Sequence, residues 1–391
     1  MSEILFLTHL YPYPPNDGGR IVTYNTLKVL SQRHKIHCIS FKEELEQEVN
    51  FENIEQYLIN KNYKNKPIDL LLNVFKSTPY TMDKYKSRII ENEIVKILTK
   101  NNINIVILDH LHMAHYYKII RKHDLKIKIF LRQHNIESII MKRAYEKEKK
   151  LLKRIYLYLQ YKKLYKYEKE ICGKMDRNFV ITEEDKMTLD NMTENNNNIV
   201  VKAGVDLEKY KPRKQDVSHA TKKLVFLGAM NWLPNEEGIS WFVEEIFPHI
   251  ISDIEDIKLY IVGKNPTDQV KKLVELYPEN IIVTGFVEDD RDYISMADVF
   301  IVPLNIGGGM RLKILNALAM KKAIVTTSIG AEGINLNNSY IVADEAKDFA
   351  RSVIDILQNK ELRLKLEKRG LEEVKRNYSF EAVLEPLLTR L

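Results

Sequence analysis

Three consecutive glycines, Gly307, Gly308 and Gly309, stand between a strand-like run ending at Pro303 and a helix-like run beginning near Met310, with Arg311 and Lys313 just after them. Glycines at such a junction let several backbone N–H groups converge on one point, and the helix N-terminus adds partial positive charge. Two cations in a first helical turn oppose that macrodipole by about 0.3–1 kcal/mol each unless an anion offsets them. The chemistry that fits is capture of an anionic group such as a diphosphate. The plainer alternative is a tight glycine turn with two solvated basic side chains. Helical spacing places Leu312, Leu315 and Ala319 on one buried stripe and Lys313 with Asn316 on another face, so these two can serve one ligand, while Arg311 lies about half a turn from Lys313.

A second glycine loop, Gly18-Gly19-Arg20 preceded by Asp17, follows the first strand-like run and leads into a helix. It lacks the GxGxxG spacing of a dinucleotide fingerprint, which disfavours NAD. A plain strand-to-helix connection is its alternative. Asp109, His110, His112 and His115 cluster in sequence, but their spacing spreads the three histidines over a strand-to-helix transition with no common face. No metal is therefore expected, and cleft lining or a solvated loop is the reading instead. His134, just past a strand, is a candidate for chemistry at the cleft or for a structural histidine.

These residues need elements to position them. Apolar runs of strand length alternate with amphipathic helical segments along the whole chain, the pattern of parallel sheets flanked by helices. The strand candidates of the first half are 4–8, 35–41, 105–108, 127–131 and 178–182. Those of the second half are 223–227, 258–262, 281–284, 299–303 and 323–326, the first three running into Gly228, Gly263 and Gly285. The expected fold class is α/β: two tandem Rossmann-like, doubly wound parallel-sheet domains with a cleft between them. Residues 1–198, joined by a terminal helix at about 378–391, would form the first domain and residues 199–377 the second, with the asparagine-rich run at 195–198 near the boundary. The stretch from about Ser138 to Gly173 reads as unusually long, basic and tyrosine-rich helix, in one piece or two: Lys142–Glu170 holds eleven Lys or Arg against four Asp or Glu.

Composition bounds the function. The chain has 391 residues, 45% hydrophobic and 29% charged, with only 14 glycines and two cysteines. That excludes disordered and disulfide-framed classes and points to a reducing compartment. The first fifteen residues lack the basic start of an export signal and no long apolar run follows, so a cytoplasmic protein is expected. Residues 1–200 carry 34 Lys or Arg against 25 Asp or Glu, leaving the remainder acidic. With no nucleic-acid-binding motif beside that asymmetry, nucleic acid is not the expected partner. The basic tyrosine-rich segment suits either an anionic membrane surface or a solvated helix.

The stretch from Phe226 through Gly228, Asn231 and Asn235, the Gly285-Phe286-Val287 turn, the run from Gly307 to Met320 and Ser328–Gly333 resemble glycosyltransferase family 4, of the GT-B fold. So do Gly18-Gly19-Arg20 and Arg132-Gln133-His134-Asn135-Ile136-Glu137. The resemblance implies a retaining, metal-independent transfer from a nucleoside-diphosphate sugar, without cofactor, to a glycan or lipid-linked acceptor, in the assembly of a surface polysaccharide or other glycoconjugate. It implies donor contacts from Gly18, Gly19, Gly228, Asn231, Asn235, Gly263, Lys264, Val287, Gly307, Gly308, Gly309, Met310 and Asn316, with Lys313 or Arg311 on the diphosphate. His134 falls near sugar and acceptor, and Asp17, Arg20 and Asp109 on the acceptor side. Asn316 and Gly308 occupy positions where the family usually has glutamates. A catalytically silent donor- or acceptor-binding partner subunit, and a nucleotide-sugar epimerase of the same architecture, are the alternatives.

Overall fold

The computed structural model describes residues 2–15, 18–43, 49–60, 70, 72–193, 197–213, 221–307, 310–336 and 338–391. They form two compact units, Met1–Lys202 with Leu384–Leu391, and Ala203–Val383.

The first unit is a seven-stranded sheet of β1 (Glu3–Thr8), β2 (Lys35–Lys42), β3 (Ile54–Asn60), β4 (Ile103–Asp109), β5 (Lys128–Arg132), β6 (Arg177–Val180) and β7 (Asn198–Val200). Its order is β3-β2-β1-β4-β5-β6-β7, every pairing parallel. The central strands carry near-continuous apolar runs because helices cover both faces. Leu5, Leu7, Ile39, Val106, Leu108 and Leu131 share one core with helical Ile90, Ile94 and Leu164. The helices that matter below are α1 (Gly18–Ser31), α2 (Glu137–Lys147) and α3 (Leu151–Cys172). The long basic segment is thus two helices, broken at 148–150.

The second unit repeats the plan with β8 (Lys222–Leu227), β9 (Ile257–Val262), β10 (Ile281–Gly285), β11 (Val299–Val302), β12 (Ile324–Thr326) and β13 (Ile341–Val342). Their order is β10-β9-β8-β11-β12-β13, again all parallel. Helix α4 (Leu233–Trp241) follows β8, α5 (Leu312–Ala319) follows β11, and the last helix, α6 (Phe380–Leu388), begins in this unit before the chain returns to the first.

Three strands escape the sequence reading: β3, β7 and β13. The first lies at one edge of the first sheet, the second at the other, and the third at an edge of the second sheet. An edge strand needs no apolar residue on every position. Ile54–Asn60 accordingly carries the adjacent polar pair Glu55 and Gln56, and β7 opens on Asn198, whose Nδ2 donates to Asp190 while its Oδ1 accepts from Asn178.

Candidate active site

In each sheet the strand order reverses once, between β1 and β4 and between β8 and β11. Loops leaving the carboxyl ends of such neighbouring strands run to opposite faces and leave a crevice, the usual ligand position in open parallel sheets.

At the second crevice, β8 ends before Gly228 and β11 before the loop that holds Gly307 and Arg311. Asn235, on the first turns of α4, donates from Nδ2 to the Ala229 carbonyl at 2.9 Å and accepts at Oδ1 from Lys313 Nζ, also at 2.9 Å. The same ammonium lies 4.7 Å from the centre of the Phe226 ring. Glycine at 228 is required for this, since a Cβ there would sit 2.6 Å from Asn235 Nδ2. Gly307 has φ +125°, and a Cβ on it would meet Arg311 Nη2 at 2.5 Å, so the guanidinium lies against the bare glycine. Burial lowers the Lys313 ammonium to about 7, and repulsion from Arg311 adds to the effect. Arg311 is itself pushed down by burial, with Glu332 opposing. Two cations therefore converge on one crevice, and among the described residues no carboxylate pairs with Lys313. Such an arrangement favours an incoming anion.

Around this pair, Gly263 (φ +153°) donates its N–H to the Gly285 carbonyl at 3.2 Å, and Met230 N–H donates to the Lys264 carbonyl at 2.9 Å. A Cβ on Gly263 would stand 1.7 Å from the Gly228 carbonyl oxygen, so these strand ends touch backbone to backbone. Val287 is two residues beyond Gly285, next to the exposed Phe286. A Cβ on Gly333 would stand 3.5 Å from Met310 Cβ, so Met310 lies over this glycine. Asn231 lies exposed in the turn before α4, and Asn316 is half-buried one turn after Lys313 on α5. Two details correct the helical-wheel reading. Arg311 is the residue before α5 rather than within its first turn, and Leu312 is only partly buried, the buried set being Ile314, Leu315, Ala317, Leu318 and Ala319. Gly308 and Gly309 lie outside the described residues.

In the first unit the crevice lies beyond Thr8 of β1, Asp109 of β4 and Arg132 of β5. The Asp109 carboxylate is fully buried and takes three partners: Thr23 Oγ1 donates to Oδ2 at 2.6 Å, Arg132 Nη1 donates to Oδ1 at 3.1 Å, and His134 Nε2 is 3.1 Å from the same oxygen. The Asp109 carboxylate is thus engaged by protein groups, His134 among them. Burial penalises its charge, but the imidazoles of His134 and His110 and the Arg132 guanidinium outweigh that, holding the carboxyl well below its ordinary range. His134 is lowered by burial against the pull of Asp109, and His110 and His112 are lowered further by burial and by neighbouring imidazoles. An ionised Asp109 favours the tautomer in which Nε2 of His134 carries the proton, leaving Nδ1 as an acceptor.

His134 stacks on His110 with ring centres 3.7 Å apart, and His110 meets His9, which stacks on His112 at 4.5 Å. Two of the three clustered histidines thus come together among the described residues, while the three share no common face. His110 and His112 meet through His9, just past β1, with ring nitrogens within 4.8 Å, and Asp109, His110 and His134 form a second such group. His115 lies apart from both. Gly18, Gly19 and Arg20 open α1, and Asp17 lies outside the described residues. Thr23 and His9 belong to no local motif, so nothing in the sequence marks them as neighbours of Asp109 and His110. Nor does the sequence mark a role for Glu137. Glu137 is raised to about 7 by burial at the start of α2, where Glu168 caps the helix by accepting from the N–H groups of Glu137 and Ser138 at 3.0 Å each.

Residues 221–359, the span that holds β8 to β13 and the Lys313 crevice, match the family described as glycosyl transferases group 1. That match covers most of the second unit. A 44.6 kDa uncharacterized protein in the cps region of Klebsiella pneumoniae is similar to the whole chain, 25% identical over 384 residues and 92% of each sequence. Sucrose-phosphate synthase from Thermosynechococcus elongatus has a similar fold, with TM-score 0.68 at 14% identity over 100% of this chain and 98% of that one. So does HepE from Anabaena, solved in complex with UDP and glucose, with TM-score 0.61 at 10% identity over 99% and 98%. Each unit therefore has the doubly wound sheet of the GT-B fold, and the group 1 glycosyl transferase match lies in the second.

Proposed function

We propose that this protein is a glycosyltransferase that moves a sugar from a nucleoside-diphosphate donor to a glycan or lipid-linked acceptor with retention at the anomeric carbon, without metal or cofactor, in surface polysaccharide assembly at the cytoplasmic side of a membrane. The observation that carries it is the Lys313 ammonium, enclosed beside Asn235 and Arg311 at the strand-order reversal of a group 1 domain. The relative in a cps region supports the polysaccharide setting, and a related fold crystallised with UDP supports the donor class.

In this reading the anomeric C–O bond to the diphosphate breaks, a C–O bond to the acceptor hydroxyl forms on the same face, and the hydroxyl proton passes to the leaving phosphate oxygen. Charge growing on that phosphate is what Lys313, Arg311 and the backbone N–H groups of the glycine loop stabilise. Lys313 and Arg311 do so in a site already organised for it. His134, oriented by Asp109, faces the sugar hydroxyls with Nδ1.

A thermal-shift panel of nucleoside diphosphates and their sugars tests donor binding, since ligand at a hundredfold excess over Kd stabilises by about 2.7 kcal/mol. No shift with any member would sink the reading. Donor turnover unchanged by EDTA is expected, and a strict divalent-ion requirement would refute metal independence. The anomeric configuration of the product, read by NMR, decides retention.

A further inference from the structure

The helical hairpin of the first unit turns an apolar stripe outward. On α3, Gln160, Leu164, Glu168, Ile171 and Cys172 are buried against the unit. Helical spacing places Leu151, Leu152, Ile155, Tyr158 and Leu159 on the opposite face. All five are exposed, Leu151 at 70% and Leu152 at 84%. One exposed leucine is ordinary, whereas five large apolar side chains on one helix face mark a contact surface. The stripe is held rigidly, because Tyr145 of α2 packs its ring on those of Tyr158 and Tyr161 at 5.4 and 5.5 Å.

Charge decides what the surface fits. From Lys149 to Tyr167 the chain carries seven Lys or Arg and no Asp or Glu. Lys149 and Lys150 immediately precede α3, where cations oppose the helix dipole, and Lys162 and Lys166 continue the outer face beyond the apolar turns. Of the flanking acids, Glu148 is paired with Lys153 at 2.5 Å. A second copy of the chain seated by a twofold axis would set this basic stripe against itself, like charge on like. An anionic lipid surface satisfies both features. Its headgroups meet the lysines, its acyl boundary takes the leucines and Ile155, and tyrosines suit the layer between. Among the described residues no helix is long and apolar enough to cross a membrane, and docking in the plane of the surface needs none.

We infer that the outer face of α3, from Leu151 to Lys166, docks in plane on an anionic membrane. This rests on the hairpin alone and stands apart from the sugar-transfer reading.

Flotation of the full chain with vesicles tests it. Vesicles of phosphatidylglycerol mixed with phosphatidylcholine should bind at least about tenfold more tightly than phosphatidylcholine alone, and roughly 0.5 M salt should release the protein. Leu151→Ser with Leu152→Ser, both at exposed positions and checked by an unchanged melting temperature, should weaken partition by about tenfold, as should Lys149→Glu with Lys150→Glu. Equal binding to neutral vesicles, or indifference to both pairs of substitutions, overturns the inference. So does a solution dimer that Leu152→Ser dissociates in a protein that ignores vesicles, because a second copy then covers the face. Donor hydrolysis measured without vesicles should be unchanged in all these variants, which separates failure of docking from failure of the transfer reading.

Discussion

Lys313 Nζ donates to Asn235 Oδ1 at 2.9 Å, joining the first turn of α5 to the first turns of α4. Asn235 is in turn held through Nδ2 by the Ala229 carbonyl, so a neutral amide fixes a buried cation without cancelling its charge. Had a carboxylate stood at 235, the crevice would hold an internal ion pair and offer less to a ligand. The expected outcome of Lys313→Met follows from this. Nucleoside-diphosphate affinity should fall by roughly 10- to 100-fold, the worth of about 1.5–3 kcal/mol for a charged hydrogen bond. The melting temperature of the free protein should hold or rise, because a buried unpaired charge is removed. Calorimetry and thermal melting on one preparation read both effects, and a lower melting temperature with intact affinity would contradict the assignment.

The same lysine makes nucleotide binding and stability depend on pH. Its folded value of about 7 lies below the ordinary lysine value of 10.5. Between them the unfolded chain holds the proton and the folded chain has released it, so this group makes stability rise as pH increases from about 7 to 10.5. A bound phosphate restores the charge. At pH 8 binding should therefore take up a proton, measurable as a dependence of calorimetric enthalpy on buffer ionisation. Both the uptake and the stability slope should vanish in Lys313→Met.

Asp109 and His134 should behave as a unit. Asp109→Asn keeps the shape but removes the charge that favours the Nε2–H tautomer, so turnover should drop while donor affinity, set in the second unit, holds. Asp109→Ala leaves Arg132 buried without its carboxylate and should destabilise by about 3–5 kcal/mol. Urea unfolding checks the second effect, and a stability loss below about 1 kcal/mol would remove Asp109 from this role.

Gly263 is tied to its neighbours by backbone alone. With φ at +153° and the Gly228 carbonyl oxygen 1.7 Å from where a Cβ would stand, Gly263→Ala must push β9 and β8 apart at their carboxyl ends. A loss of about 3 kcal/mol is expected, together with weaker nucleotide binding. Gly285 has φ +70° but open space around it. Gly285→Ala should therefore produce a smaller loss of about 1 kcal/mol from backbone strain alone. The order of the two melting temperatures is the check.

Much of this was legible in the residues. Alternating apolar strands and amphipathic helices state a parallel α/β architecture because a strand covered on both faces must be apolar throughout. The glycines before Arg311 and Lys313 point to the crevice in which the structure brings these two cations together, because a freed backbone and added cations beside a helix start suit an anion. The edge strands β3, β7 and β13 were not legible, since an edge imposes no such pattern.

What the sequence determined by itself is local: element type, the glycine loops, and the absence of any acid from Lys149 to Tyr167. Tertiary structure alone decided that Asn235, 78 residues away, holds Lys313, that Thr23 and His9 join Asp109 and His134, and that the leucines of α3 face outward. Periodicity along a chain says which residues share a face. It does not say what stands opposite that face, because the partner comes from elements remote in sequence and is chosen by packing.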